Sequence, residues 1–307
     1  MHIEYENVKY TCEEGIATLQ LYRPMSLNAL CGEINRDIMA AIQECLKDDS
    51  ARVLIICGFG RAFAAGADLK EMMEVNPRQA RDICQLAKDI NELLESMHIP
   101  TIAVVGGFAF GGGFELALSC DFRVVGNRTL VGFPEGGLGI IPGANGMIRA
   151  CNIVGPSKAK ELSMFNTNIP GPEVYRLGLA NWFVEGDAEL EAAAAAAKKA
   201  LKEAKKSGDE AAIADAKAAS KKAEAAAADA ENDALMAKAY EMAKILASKP
   251  GKALAAIKTV CYDAANQTAQ QAKLRETIEF SLLFDTHDQR EGMTAFSEKR
   301  QPVYTHN

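Results

Sequence analysis

The chain has 307 residues, of which 49% are hydrophobic, and a formal net charge of −7 at pH 7. That size and apolar fraction support one large core or two modest ones. The negative charge argues against a nucleic-acid surface, though not against a local basic patch for one phosphorylated ligand. The opening MHIEYENVKYTCEEG lacks the charged-then-apolar order of a secretory signal. No stretch is long and apolar enough to span a bilayer.

Residues 7–12 and 16–21 alternate apolar and polar around Glu13-Glu14-Gly15 and predict a β-hairpin. Residues 31–47 place Ile34, Ile38, Ala41, Ile42 and Cys45 at helical spacing. Arg52 to Cys57 is a short apolar run bounded by Gly58 and Gly60, which predicts a buried strand. Helical spacing returns over 77–97 through Ile83, Leu86, Ile90, Leu93 and Leu94. Thr101 to Val105 and Asp121 to Val125 read as further strands, with a helix opening at Phe114 to Leu118 between them. This order favours an α/β core in which each turn of chain stacks on the last. From residue 143 the pattern is almost entirely helical.

Residues 187–232 differ in style, being nearly all Ala, Lys, Glu and Asp with Leu190, Leu201 and Ile213 as the only large apolar side chains. Ser207-Gly208-Asp209 supplies stop, turn and N-cap chemistry. The segment predicts two antiparallel helices of high intrinsic propensity. So uniform a composition favours an engineered insertion over a natural low-complexity one. The expected organisation is a core over 1–186, an inserted hairpin over 187–232 and a helical region over 233–307.

The eight cysteines are scattered without a CxxC pair, and there are four histidines. They read as core thiols kept reduced in a cytoplasm, and no metal site is expected.

The run Gly106-Gly107-Phe108-Ala109-Phe110-Gly111-Gly112-Gly113-Phe114-Glu115 puts three consecutive glycines between a strand and a helix. Backbone without Cβ atoms can approach a ligand closely, and the helix start presents free N–H groups. A phosphate could sit there, and so could a carbonyl oxygen that gains charge during a reaction. Taken alone, the glycines are equally what a tight turn needs. A second junction of small residues, Ala64-Ala65-Gly66-Ala67-Asp68, follows the strand ending at Cys57. Two N–H groups from two loops are what an oxyanion hole requires. Glu115 and Glu135 lie among glycines and large apolar side chains, where lost hydration raises a carboxyl pKa. The helix start pulls Glu115 the other way, and carboxyls in separated environments can divide acid and base work.

These residues resemble the crotonase, or enoyl-coenzyme A hydratase/isomerase, superfamily. The likeness is carried by Ala64 to Lys70, Phe110 to Ala117, Cys120-Asp121 and Pro134-Glu135. Arg23-Pro24 with Leu27 to Leu30 matches near the N-terminus, and Asp288-Gln289, Glu291 to Met293, Ala295-Phe296 and Glu298 to Arg300 match near the C-terminus. The resemblance implies a spiral of ββα turns with a C-terminal helical trimerisation region. It implies hydration of a short-chain enoyl-coenzyme A, with an isomerase of the same fold as the alternative. The composition of residues 187–232 adds a further alternative, an engineered scaffold of this fold whose inserted hairpin serves assembly. Coenzyme A enters as part of the substrate, so no separate cofactor is expected. Ala67 and Gly112 would hold the thioester carbonyl through their N–H groups. Glu115 would activate a water for attack at C3, and Glu135 would deliver a proton to C2. Ala65 would meet the adenine, Asp68, Leu69 and Lys70 would line the pantetheine channel, and Phe296 and Lys299 would complete the coenzyme site from a neighbouring subunit. The expected assembly is a homotrimer or a dimer of trimers, with no nucleic-acid or membrane partner. Met25 stands where many members have Lys, and Asn145 interrupts the usual glycine pair in Pro142-Gly143-Ala144-Asn145-Gly146.

Overall fold

Strand alternation builds the first layer of the computed structural model, which describes residues 1–306. β1 (His2–Glu4), β2 (Val8–Glu13) and β3 (Ile16–Leu21) pair antiparallel, with β2 and β3 joined at the expected turn. Val8, Tyr10 and Cys12 face the core while Lys9 and Thr11 between them stay half-buried. α1 (Gly32–Lys47) follows and buries the five periodic residues read from the sequence.

Three turns of similar construction come next. The first holds β4 (Val53–Gly58), β5 (Ala62–Ala64), α2 (Leu69–Met72) and α3 (Pro77–Ser96). The second holds β6 (Thr101–Val105), β7 (Phe108–Phe110) and α4 (Gly112–Ser119). The third holds β8 (Phe122–Gly126), β9 (Leu130–Gly132), a 3-10 turn over Pro134–Leu138 and α5 (Gly146–Met164). β10 (Ile169–Pro170), α6 (Gly171–Arg176) and β11 (Trp182–Val184) close the series. In each turn the first strand joins a seven-stranded sheet ordered β1-β2-β3-β4-β6-β8-β11, and the second joins a four-stranded sheet ordered β10-β9-β7-β5. This is the spiral of ββα turns. From β3 onward the large sheet is parallel.

The small sheet was not foreseen, nor were β10 and β11 within the region read as helical. Its strands have two or three residues each, too few to show an alternation against a background of glycine and alanine. The runs of β4 and β6 are continuously apolar because both faces of the large sheet are covered. Leu54 and Ile56 belong to the main core, whereas Val53, Ile55 and Cys57 face a second cluster.

That second cluster is closed by a helix from the alanine-rich region. α7 (Ala188–Ser207) and α8 (Glu210–Ala247) are antiparallel neighbours joined at Gly208, with Asp187 and Asp209 capping their N-termini. α8 runs through residue 232 without a break, and its second half lays Leu235, Ala239 and Ala243 against the outer face of the large sheet. The first half and α7 bury chiefly small side chains, Ala194, Ser220 and Ala227, so their hydrophobic gain is small. A polar anchor compensates. Arg128, in the turn between β8 and β9, places Nε 2.6 Å from Glu191 and Nη1 2.7 Å from Glu224. Its backbone N–H donates to Glu231 at 2.9 Å.

The C-terminal helices are α9 (Gly251–Asn266), α10 (Ala269–Leu283) and α11 (His287–Glu298). Lys258 fastens α9 to the core through Asp121 at 2.8 Å and the carbonyl of Leu94 at 2.7 Å. α10 packs on α9 and leaves Leu274, Phe280 and Leu282 exposed. No helix among the described residues is long and apolar enough to cross a membrane.

Candidate active site

The three-glycine run ends β7 and starts α4, which places Glu115 in the first turn of a helix that is buried almost throughout. Glu115 is 2% exposed. Its Oε1 accepts the N–H of Ala144 at 2.8 Å and that of Gly146 at 2.7 Å. The approach requires glycine at 146, where a Cβ would stand 2.3 Å from Glu115 Cγ. Burial raises the Glu115 pKa, while the N–H groups of Gly146 and Ala144 and the charge of Arg149 pull it back.

Glu135 comes from the 3-10 turn after β9 and is 8% exposed. Its Oε2 is buried with no hydrogen-bond partner among the described residues. Burial pushes its pKa up to about 7, and the neighbouring Glu115 charge adds to the shift. The two carboxyls therefore differ in kind. Glu115 is held by backbone donors, and Glu135 has a buried oxygen that nothing among the described residues satisfies.

Both line one cavity of about 580 Å³ together with Ala67 and Gly112. Ala67 bridges Leu30, but the pairing uses the carbonyl of Gly66 and the N–H of Asp68. The Ala67 N–H is left without an acceptor among the described residues. Gly112 is the first residue of α4, and its N–H is one of the unpaired donors of a helix start. A Cβ built on Gly112 would lie 3.9 Å from the Ala67 nitrogen, so the two donors border the same small space.

The remaining expected residues are placed differently. Ala65 is half-buried, and its N–H donates to the Leu27 carbonyl at 3.0 Å. Asp68 pairs with Arg23 at 2.7 Å and caps α2 through the Lys70 N–H at 3.1 Å. Leu69 and Lys70 are exposed on α2. Phe296 and Lys299 are exposed on α11 and at its C-cap, and neither is brought to the cavity of its own chain. Met25 is exposed, and Asn145 adopts a left-handed φ of 68° that asparagine tolerates.

Sequence reasoning missed the apolar wall. Met72, Ile83, Cys84, Ala87, Ile140 and Ile141 line the same cavity as the carboxyls. Ile83 was read within the periodic face of α3, and periodicity alone cannot separate a core contact from a cavity wall. Among the described residues no group of three His, Cys, Asp or Glu side chains could hold a metal ion.

The chain is similar to known proteins over nearly its whole length. The family model described as enoyl-CoA hydratase/isomerase matches residues 11–234 and 226–307. The chain is 34% identical over 298 residues to a crotonyl-CoA hydratase of Syntrophomonas wolfei, covering 97% of each. It is 31% identical over 300 residues to a short-chain-enoyl-CoA hydratase of Clostridium acetobutylicum, again covering 97% of each. A crystal structure of an enoyl-CoA hydratase subunit from Geobacillus kaustophilus superimposes with a TM-score of 0.80 at 30% identity, covering 99% of this chain and 100% of that one.

Proposed function

Because the chain belongs to the enoyl-CoA hydratase/isomerase family, we propose that it is a hydro-lyase adding water to a short-chain 2-trans-enoyl-coenzyme A. The observation that carries this reading is the pair of unlike carboxyls on one cavity, one hydrogen-bonded and one with an unsatisfied buried oxygen. In the forward direction Glu115, as carboxylate, takes a proton from a water whose oxygen bonds to C3. The π electrons move through C2 to the thioester oxygen, where the N–H groups of Ala67 and Gly112 stabilise the enolate. Glu135, in its protonated form, gives a proton to C2, and the carbonyl re-forms as 3-hydroxyacyl-coenzyme A. A pKa of about 7 leaves Glu135 substantially protonated near neutrality, as an acid of this kind requires. Return of the Glu115 proton to Glu135 resets the site, so one water supplies both added groups. The chain adds no separate cofactor to this scheme.

Isomerisation on the same fold would move a double bond without consuming water. Loss of the conjugated-thioester absorbance of crotonyl-coenzyme A, with 3-hydroxybutyryl-coenzyme A as product, tests the hydratase reading directly. Retained absorbance alongside turnover of a 3-enoyl thioester would replace it by the isomerase.

The same reading extends to assembly. The apolar side chains exposed on α10 support a homo-oligomer, a trimer or a dimer of trimers. Within it Phe296 and Lys299 would serve a neighbour's coenzyme A, alongside Ala65, Asp68, Leu69 and Lys70. A cytoplasmic location is supported by eight unpaired cysteines, as a reducing compartment allows. Residues 187–232 are read as an engineered hairpin inserted into this frame, on their composition and on the small size of what they bury.

A further inference from the structure

The loop over 143–146 reaches Glu115 through one residue, Ala144, whose N–H and carbonyl are both engaged. The Ala144 N–H donates to Glu115 Oε1 at 2.8 Å. The Ala144 carbonyl accepts from Arg149 Nη1 at 2.8 Å and from Asn91 Nδ2 at 3.0 Å. Arg149 is locked in turn by Glu95, with Nε at 2.7 Å and Nη2 at 2.5 Å from the two carboxylate oxygens. Its side chain is 8% exposed. Burying a guanidinium costs hydration that its partners must replace, and here a third donor goes to a backbone carbonyl next to the site.

We propose that Arg149, oriented by Glu95 and helped by Asn91, is a positioning residue that fixes the Ala144 backbone and so sets the geometry of Glu115. Anchoring the Ala144 carbonyl holds in place the residue whose own N–H reaches the carboxylate. The guanidinium also acts at longer range, since its charge is among the influences holding the Glu115 carboxyl down against burial. The other ionisable groups facing the cavity around Glu115 are Glu135 from the 3-10 turn, and Lys88 and Cys84 from α3. Arg149 touches none of the reacting atoms, so its effect passes entirely through Glu115. α3 supplies Asn91 and Glu95, and α5 supplies Arg149. The polar links from α3 and α5 that meet at the Ala144 carbonyl thereby hold the catalytic carboxylate in place.

The inference rests on Glu115 as the base of the hydration, and the test separates the two. Arg149→Met should lower kcat on the order of 10²-fold, the scale expected when a reacting group is displaced by about an ångström, with KM little changed. The acid limb of the kcat/KM profile should move to higher pH as the Glu115 carboxyl loses its opposing charge. Arg149→Lys keeps that charge but not the fork, so it should lose rate while leaving the acid limb in place. Arg149→Met with Glu95→Gln removes the stranded carboxylate and should show the same kinetic defect with the fold restored, as checked by circular dichroism and melting. Combining Arg149→Met with Glu115→Gln should add almost nothing to Glu115→Gln alone. A folded Arg149→Met enzyme with unchanged kcat and pH profile, where Glu115→Gln is inactive, would overturn the positioning role and leave the base assignment standing. An active Glu115→Gln would instead remove the base on which the role depends.

Discussion

A Cβ at residue 111 would lie 2.3 Å from Oε1 of Glu135, so the backbone of Gly111 and the carboxyl of Glu135 occupy one space that only glycine leaves open. Gly111 also has φ of 48° and ψ of −123°, outside what an L side chain adopts readily. Gly111→Ala is therefore expected to destabilise by about 1 kcal/mol or more and to displace Glu135. Melting and kcat should both fall, and a variant of normal kcat would show that Glu135 does not need its present position.

Glu115→Gln and Glu135→Gln should each lower hydration by roughly 10²–10⁴-fold, since each deletes one proton transfer. Binding of the product thioester should survive, because the amide keeps the volume of the side chain. Calorimetric titration with 3-hydroxybutyryl-coenzyme A beside the rate assay checks both halves. Near-normal turnover in either variant refutes the assignment of that residue.

The two donors proposed to hold the thioester oxygen, Ala67 and Gly112, can be blocked without removing either. A methyl at residue 112 would meet Leu30 Cδ1 at 3.4 Å and stand 3.9 Å from the Ala67 nitrogen, contacts a folded chain accepts. Gly112→Ala should fold normally yet crowd the oxygen out from between the donors. The expected loss approaches the 3–4 kcal/mol, about, of a missing oxyanion donor. Unchanged kcat/KM in a folded Gly112→Ala enzyme would place the carbonyl elsewhere.

Glu135 gives a pH dependence of defined sign. Its pKa rises from 4.5 to about 7, so the protonated form is the one the fold favours. As an acid it should carry kcat/KM down on the alkaline side of about 7. For stability, the favourable contribution of the neutral carboxyl is intact below 4.5 and is lost as pH rises toward about 7. Glu135→Gln cannot ionise, so its melting temperature relative to the parent should be higher at about pH 8 than at about pH 5. A pH-independent difference would mean that Glu135 is hydrated in solution.

Lys299 tests the proposed coenzyme site. Lys299→Ala should raise KM with little effect on kcat, the pattern of lost uniform binding. The defect should shrink at high salt because an exposed charge is screened. A defect indifferent to ionic strength would assign Lys299 a packing role at the end of α11.

Arg128 tests how the alanine-rich hairpin is held. Arg128→Ala deprives Glu191 and Glu224 of their partner, and amide exchange should quicken in α7 and the first half of α8 while the large sheet stays protected. Replacing 187–232 by a short Gly-Ser linker should leave kcat/KM within a few-fold, since none of the cavity-lining residues lies in that span. A large loss of activity in a protein that still assembles would show that the hairpin reaches the active site or gates it, and would overturn its reading as an appendage.

Local chemistry made much of this protein legible in its sequence. The turn at Glu14-Gly15, the periodic face of α1, the apolar run of β4, and the stop-turn-cap of Ser207-Gly208-Asp209 all act within a few residues of themselves. Glu115 and Glu135 could be singled out because their neighbours, glycine and phenylalanine, announce lost hydration. Other properties depend on residues far apart in the chain and could come only from the fold. The free N–H of Ala67 follows from its bridge to Leu30, and the unlike states of the two carboxyls follow from the reach of Ala144 and Gly146 to one of them alone. The grip of Arg149 on the Ala144 carbonyl and of Arg128 on Glu191 and Glu224 belongs with these. An arginine in a sequence carries the same five donors wherever it stands, and only the packing of helices and strands around it decides which acceptors they meet.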